Sequence, residues 1–600
     1  MARNVFYNFE SIINTDEPDL SETSDEDIDT VNDDNFVCGS DDPSDGSTSS
    51  SDSENEIQSE NESDRSNSDS DNENEGRIIM GKDNNTKWSD KPFEENRPRA
   101  RNIIHFPQNR TPNTSNVSTP EDAFLLYIDN KLVNMMIKYT NAEGKKKRGN
   151  EWKMMDEIEL KAFIGCLIHA GALHQNKHSL DTLFNPADGN PLIRAAFSHN
   201  RFQDLLTFLR FDDKNTRSER KERDQFCPIR DFWDQWHKNL GKYFVPGENV
   251  TVDEQLVPFR GRCIFLQYMP SKPDKYGMKI FWVCDSETAY PLRGLPYLGK
   301  KKTGPRAERV QKGLGEKTVL ELTKDKDFKG RNVTCDNYFT TLELAEKLEK
   351  QKMTLVGTVK RNKAFLPPKF QQKKALPLYE SDFCYRKDSV LISYQSKKAK
   401  NVVLLSSMHN DSKIDEGEKK KPEIVLKYNQ TKGGVDSMDQ MAHSFTRKRK
   451  SRRWPLVQFF NILDISTIAA RIVYSRKFPN DQLSKPDSRQ QFNIKIAKQL
   501  VLPQIQRRQD SASTLHETVK NNISAVLKVL MPEPPITTEK RGKASKRKSV
   551  DNDGDGPPKK QKRCGFCPAN KDRKTKTICS RCSKFVCGEH TVVICKQCAM

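Results

Sequence analysis

The chain is 600 residues long, which as a prior allows about four domains of ~150 residues. Its net charge of +18 conceals a division: residues 1–75 carry 24 acidic and 2 basic side chains, whereas the remaining 99 basic and 59 acidic residues give the body a net of +40. That excess points to a polyanion, most readily nucleic acid, and the 14 cysteines exclude a secreted disulfide framework, since seven stand singly between Cys38 and Cys384 and seven crowd into the last 37 residues.

Residues 1–117 are poor in aromatics and rich in Asp, Glu, Ser and Asn, and are expected to be disordered. The opening MARNVFYNFESIINTDEPDL shows no apolar core of a signal peptide. Clusters such as SETSDEDID and STSSSDSENE suit an acidophilic kinase; such a tail either competes with DNA for the basic body or simply solubilises the chain. From Pro120 apolar residues recur at three- and four-residue steps, which predicts packed amphipathic helices over 118–248. Asp212 and Asp213 follow a helix and open a charged loop, so they read as capping residues and stay outside any active site.

From Asn249 the period changes to two. TVDEQLVPF, CIFLQYM, MKIFWVCD and AYPLRGLPYLG predict four strands, followed by a helix near Lys317–Thr323, the strand NVTCDN, the helix TTLELAEKLEKQK and the strand MTLVGTVK. This mixture predicts an α/β fold over 249–360, a mixed sheet with helices on its faces. Residues 361–423, with strands SVLISYQ and NVVLLSSM, read as a β-rich insertion. A strand EIVLKYNQ then returns the chain to TKGGVDSMDQ, within 424–445. The most apolar run, Leu456–Tyr474, is interrupted by Gln458, Asn461, Asp464 and Arg471, so it predicts a core helix and no membrane span. Helices continue to about Leu530 and close the segment 446–531. Residues 532–563 are a Pro- and Lys-rich linker whose KRGKASKRK and PPKKQKR predict import into the nucleus or a nucleic-acid-binding tail.

Three acidic segments carry the chemistry. Asp253 and Asp336 each sit at the centre or end of an apolar strand, and Asp436 and Asp439 lie three residues apart, one face of a helix that starts on Gly433-Gly434. A single such Asp is structural in most proteins; jointly the three segments have the composition of a divalent-metal site. Mg²⁺ wants oxygen ligands and keeps several waters, and two ions ~3.5–4 Å apart serve in-line displacement at phosphorus.

The last segment, 564–600, has the strongest spacing signal: Cys564-x2-Cys567, Cys579-x2-Cys582, Cys587-x2-His590 and Cys595-x2-Cys598, eight ligands for two structural zinc ions. Sequential pairing gives Cys564/Cys567/Cys579/Cys582 and Cys587/His590/Cys595/Cys598. Interleaved pairing gives Cys564/Cys567/Cys587/His590 and Cys579/Cys582/Cys595/Cys598.

These blocks resemble the piggyBac transposase family: TVDEQLVPFRGRC, PSKPDKYGMKIFWVCD, NVTCDNYFT, YNQTKGGVDSMDQM and the terminal Cys/His cluster occur in order over roughly residues 118–600. The resemblance implies an RNase H-like catalytic core. It implies a helical dimerisation and DNA-binding domain built from both sides of that core, and a C-terminal cross-brace zinc domain. It implies an Asp253, Asp336, Asp436 triad holding two Mg²⁺ (Mn²⁺ substituting), with Asp439 as a further required acid. It implies a homodimer or larger assembly that binds terminal inverted repeats, excises DNA through hairpin ends and inserts at TTAA. It also favours the interleaved zinc pairing, on a domain that binds the element's ends. A relative that binds DNA without cutting it is the alternative. A zinc-bearing regulator would leave the three acidic segments unexplained.

The basic run Arg447, Lys448, Arg449, Lys450, Arg452 and Arg453, close after Asp439, and Lys275 and Lys279 are expected to meet DNA phosphates, as are Arg260 and Arg262. Trp454 reads more readily as a core anchor than as a base-stacking platform.

Overall fold

The computed structural model of the chain describes residues 76–93, 109–270, 272–299, 313–372, 376–398 and 400–531, and, towards the end, 562–563, 567, 574–575 and 586–590. The chain divides into two compact units, Met1–Pro532 and Glu533–Met600.

The expectation of disorder over 1–117 needs correction at 76–93 and at 109–117. β1 (Ile78–Met80) and β2 (Lys87–Ser89) pair as an antiparallel hairpin, and Asp83 closes its turn by accepting from the N–H groups of Asn85 and Thr86. Burial of one indole supplies the reason: Trp88 is 1% exposed and donates Nε1 to the Phe365 carbonyl at 2.9 Å. This small apolar island was submerged in the polar average of the segment. Residues 1–75, with their acidic clusters, lie outside the described residues. Two further short strands, β3 (Asn109–Arg110) and β4 (Phe244–Val245), pair with each other.

Between them the helical period is realised as expected, in α1 (Pro120–Leu125), α2 (Asn130–Arg148), α3 (Glu157–Ala172), α4 (Leu180–Phe184), α5 (Pro191–Ala196), α6 (His199–Phe208), α7 (Arg217–Arg223) and α8 (Arg230–Tyr243). Side chains of Thr119, Asp129 and Asp156 accept first-turn N–H groups and start α1, α2 and α3. Asp213 likewise caps a short turn through Asn215 N. Asp212 instead is a buried hub for Arg217 at 2.6 Å and Arg220 at 2.5 Å.

The sheet that organises the first unit has eleven strands. Its centre is β5 (Asn249–Pro258), β6 (Leu266–Tyr268), β7 (Tyr276–Asp285), β8 (Pro291–Pro296), β9 (Asn332–Cys335) and β10 (Thr354–Thr358). β5 runs antiparallel to β7, whose other edge carries β6 and β8, and parallel to β9, which is parallel to β10. The parallel pairs need crossovers: α9 (Leu314–Leu322) precedes β9, and α10 (Leu342–Lys350), capped by Thr341, links β9 to β10. Four-residue β9 is buried on both faces, the mark of a strand inside a covered sheet.

After the short α11 (Pro368–Gln371) and a strand that was not expected, β11 (Ser381–Tyr385), β12 (Val390–Lys397) and β13 (Lys400–Ser406) form at the two expected strand runs. They extend the same sheet, since β13 pairs antiparallel with β10 and β11 meets β2. The expected strand EIVLKYNQ is a helix, α12 (Glu423–Thr431). Pro422 supplies the start, and Ile424 and Val425 bury on one side, so packing overrides the strand preference of two β-branched residues.

The chain then runs through α13 (Gly434–Ser444), α14 (Trp454–Lys477), α15 (Arg489–Asp510) and α16 (Glu517–Leu530). Among the described residues α14 is the helix long and apolar enough to cross a membrane, and 89% of that apolar window is buried within the protein. It is the core helix its polar interruptions predicted: Trp236 Nε1 on α8 donates to Ser466 Oγ at 2.8 Å, and Asp464 is buried on an ion pair. α3 packs along α15 at close range, where a Cβ on Gly165 would stand 2.7 Å from the Val501 side chain. In the second unit β14 (Lys562–Arg563) pairs antiparallel with β15 (Lys574–Thr575).

Candidate functional site

One face of β5 sets the site. Alternation puts Thr251, Asp253 and Gln255 on the same side of the strand, and that side meets α12 and α13. Thr251 Oγ1 donates to the Thr431 carbonyl at 2.5 Å. Gly434 allows the close approach, since a Cβ there would lie 2.6 Å from Thr251 Oγ1. At the far end of the same face Gln255 Nε2 donates to Asp439 Oδ1 at 2.8 Å. Asp253 lies between these two contacts, and Asp436 lies between Gly434 and Asp439 on α13.

Asp336 joins through the parallel pairing. Val252 is in register with Cys335, so Asp253 and Asp336 leave neighbouring strands at the same level and on the same face. Asp336 Oδ1 accepts from Tyr338 N at 2.9 Å, which fixes the turn after β9. Asp253 and Asp336 are half-buried and Asp436 is exposed on the first turn of α13.

The electrostatics are those of crowded carboxylates. Burial, followed by the like charges of Glu254, Asp336 and Asp436, pushes the Asp253 carboxyl up to about 8. Burial also raises Asp336, against the pull of the Tyr338 N–H and of Lys360 and Lys279. Among the described residues neither Asp253, Asp336 nor Asp436 forms an ion pair. As placed, no three acidic, His or Cys side chains among the described residues close around a single point to enclose an ion. The donors are nonetheless all carboxylate oxygens, carried on a strand, a strand end and a helix that are locked together. That oxygen-only donor set fits a hard divalent cation.

Asp439 differs from the other three. Its carboxylate is held by Gln255 and by His443, whose Nδ1 lies 3.3 Å from Oδ1 and which is pushed up to about 9, chiefly by that hydrogen bond. Gln255 is itself fixed: Trp282 Nε1 donates to its Oε1 at 3.0 Å, and Asn461 on α14 exchanges hydrogen bonds with its amide at 3.2 Å. Gln255, His443 and Asn461 were missed by sequence reasoning. The available signal was spacing: Gln255 is two residues from Asp253 on a strand, and His443 is four from Asp439 on a helix.

The expected basic contacts divide. Residues 446–452 form no helix and their side chains differ in burial. Arg447 is turned inward, 2% exposed, with Nη1 on Asp464 Oδ1 at 3.1 Å, so its expected place on an exposed DNA-facing surface is corrected to a buried ion pair. Arg449 gives its guanidinium to the His178 carbonyl at 2.7 Å, and Arg453 binds the carbonyls of Thr207 and Leu209. These two guanidiniums brace the loop before α4 and the end of α6, and both side chains are half-buried. Lys448 is half-buried, and Lys450 and Arg452 are exposed. Of the remaining cations, Lys275, Arg260 and Arg262 are exposed, and Lys279 stands 5.0 Å from the Tyr338 ring and close enough to lower Asp336. Trp454 is a core anchor, stacked on Phe226 at 5.5 Å and edge-on to Phe265 at 5.0 Å. Arg447→Leu is expected to destabilise the fold by about 3–5 kcal/mol, because Asp464 would stay buried without its partner; urea unfolding of the full chain measures this.

In the second unit Cys567 and Cys587 have their sulfurs 3.7 Å apart. A disulfide needs ~2.05 Å, whereas two thiolates on one tetrahedral zinc, at Zn–S ~2.3 Å, stand about 3.8 Å apart. The donor chemistry and spacing of this pair fit zinc. Interleaved pairing puts these two cysteines on one ion, and sequential pairing puts them on two. The expected ligands Cys564, Cys579, Cys582, Cys595 and Cys598, and the side chain of His590, lie outside the described residues, as does most of the expected nuclear import segment.

Comparison with known proteins agrees with this architecture. The family profile described as Transposase IS4 matches residues 119–470. The human PiggyBac transposable element-derived protein 3 is 24% identical over 365 residues, 58% of this chain and 60% of that protein. The human PiggyBac transposable element-derived protein 2 is 22% identical over 349 residues, 56% of this chain and 58% of that protein. The chain therefore spans somewhat under two thirds of these relatives. A cryo-EM structure of a piggyBac transposase synaptic complex with hairpin DNA superposes with a TM-score of 0.66 at 35% identity, covering 82% of this chain and all of that one. Fold and profile thus define the class, the transposases. Within it, the chain belongs to the piggyBac family.

Proposed function

We propose that this chain is a cut-and-paste DNA transposase that cleaves and joins DNA strands in the nucleus with Asp253, Asp336 and Asp436. The observation that carries this reading is the shared face of β5 and β9: two carboxylates at one level of a parallel strand pair, opposed by a third on α13, with Asp253 pushed up to about 8 by burial and like charge. The order β8-β7-β5-β9-β10, antiparallel on one side and parallel on the other, supports an RNase H-like core. Similarity to a transposase solved with hairpin DNA supports DNA as substrate, hairpin ends and a synaptic assembly of at least two copies.

Asp253, Asp336 and Asp436 would hold two Mg²⁺, which when bound supply charge neutralisation at the phosphate and activation of the attacking oxygen. That oxygen comes first from water and then from a DNA 3′-OH, so the chain itself provides no nucleophile. Each displacement forms one P–O bond and breaks one. Asp439, clamped by Gln255 and His443, is a positioning residue that fixes the register of α13 against β5. Lys279 and Lys360, on the Asp336 side, are suited to a scissile-strand phosphate, and Lys450 and Arg452 to the flanking duplex. The Cys567–Cys587 separation supports the interleaved zinc arrangement, on a module suited to reading element ends.

Excision from a plasmid carrying candidate ends flanked by TTAA, with sequencing of the repaired junction, tests the whole reading. Restoration of a single TTAA is expected; junctions with lost or added bases would reject it. The names of the human relatives, element-derived proteins, favour one alternative, a DNA-binding descendant without cleavage. Mg²⁺-dependent nicking of an end-bearing duplex separates the two. Gln255→Leu is expected to slow that nicking by up to about 100-fold with end binding retained, since a displacement of ~1 Å at such a site has that effect. Unchanged nicking rates would show that Asp439 needs no clamp.

A further inference from the structure

Three arginines line a single cleft behind α13, formed with the segment at 447, α14 and α15. Arg447, Arg471, Arg489, Thr467 and Asn493 provide its polar walls and Met441 and Ile468 apolar ones, around a narrow space that is partly open to solvent. The carboxylates facing these guanidiniums are fewer. Asp464 takes Arg447 Nη1 at 3.1 Å, and Asp487 acts on Arg471 at longer range. Arg489 donates Nη2 to the Met441 carbonyl at 2.7 Å, and Arg471 donates Nη2 to the Lys485 carbonyl.

Donors are left over. Nε and Nη2 of Arg447 and Nε of Arg471 are buried with no hydrogen-bond partner among the described residues. Arg447 is 2% exposed, so bulk water does not serve it. Buried donors without acceptors are rare in native proteins, and each calls for an acceptor of some kind. Burial, together with the neighbouring charges of Arg471 and Arg447, pushes Arg489 down to about 10, the mark of cations packed without enough counter-charge.

We propose that this cleft binds one compact phosphate-class anion, held by Arg447, Arg471 and Arg489. Guanidinium forks match the paired oxygens of such a group, and hydrogen bonds between two charged partners are about twice as strong as neutral ones. Asn493 adds an amide donor or acceptor, and three guanidiniums around one narrow space suit a single tetrahedral oxyanion. The site is separate from the carboxylates of β5 and β9, and no step of strand cleavage needs it. It touches α13 all the same, because Arg489 holds the Met441 carbonyl two residues beyond Asp439.

The experiment titrates inorganic phosphate into the full chain at constant ionic strength, read by ³¹P line broadening and by the thermal midpoint against chloride. Saturable binding and a raised midpoint are expected. In the Arg471→Gln/Arg489→Gln double variant, affinity should fall by about tenfold or more. Arg471→Gln alone provides the same reading at smaller amplitude if the double variant folds poorly. A short duplex of unrelated sequence then distinguishes the source: displacement of bound phosphate assigns the site to a DNA backbone phosphate, and retention assigns it to a free anion. No midpoint shift beyond that of chloride, or an equal shift in the variants, overturns the proposal.

Discussion

Asp253→Asn is expected to abolish Mg²⁺-dependent nicking and, in the same molecule, to raise the stability of the metal-free chain. The loss follows from removing one of three carboxylates that would hold the ions; an effect of about 4 kcal/mol on the barrier is on the order of a thousandfold in rate. The gain follows from the charge that remains. In the folded chain Asp253 is pushed up to about 8, whereas the unfolded side chain titrates near 3.8. A carboxyl raised by folding destabilises the fold when ionised: the penalty is absent below about pH 4, grows as pH rises, and is complete above about pH 8. Each unit of separation is worth about 1.4 kcal/mol, so even half of this separation, a fair discount for a half-buried group, gives about 3 kcal/mol. Urea unfolding in EDTA should therefore show variant and wild type alike at pH 4 and the variant more stable at pH 8.5. Asp336→Asn should behave in the same direction, with end binding intact in both. Nicking retained in either variant would remove the carboxylates from the chemistry; equal stability at both pH values would mean that the acids do not crowd one another.

Much of this site was legible because it rests on strand parity and helix spacing. Apolar runs marked β5 and β9, a central Asp in each marked the face, and two glycines followed by Asp436 and Asp439 marked the helix. Only Gly434 is used for close approach; a Cβ on Gly433 would meet Ser437 Oγ at an ordinary 3.8 Å. What sequence reasoning missed depends on contacts between distant segments. Gln255 matters because Trp282 and Asn461 converge on it, and neither is near it in sequence. The basic run 447–453 looked like one uniform surface, yet outside any helix its side chains face different ways, so Arg447 pairs with Asp464 whereas Lys450 stays exposed. Trp88 and the helix at Glu423–Thr431 fail for the same reason, since local composition and β preference gave way to packing partners hundreds of residues apart or to a proline start.

Zinc removal is expected to abolish end recognition while the first unit keeps its own unfolding transition. A segment as short as 564–600 has little apolar core, and structural zinc contributes about 10–16 kcal/mol of apparent folding free energy in comparable small modules, so it should unfold without metal. Because Met1–Pro532 is a compact unit by itself, that loss need not spread. A zinc-selective chelator in excess Mg²⁺ should therefore reduce binding to an end-bearing duplex by at least about 100-fold, roughly 2.7 kcal/mol, and leave the main thermal midpoint in place. The 3.7 Å separation of Cys567 and Cys587 sharpens the test. If both serve one ion, Cys567→Ser and Cys587→Ser should each lower the zinc content from two per chain to one, and the double variant should still hold one. Sequential pairing makes the opposite demand: the double variant would hold none. Metal content by mass spectrometry decides between them, and a double variant without zinc would assign the two sulfurs to different ions despite their closeness.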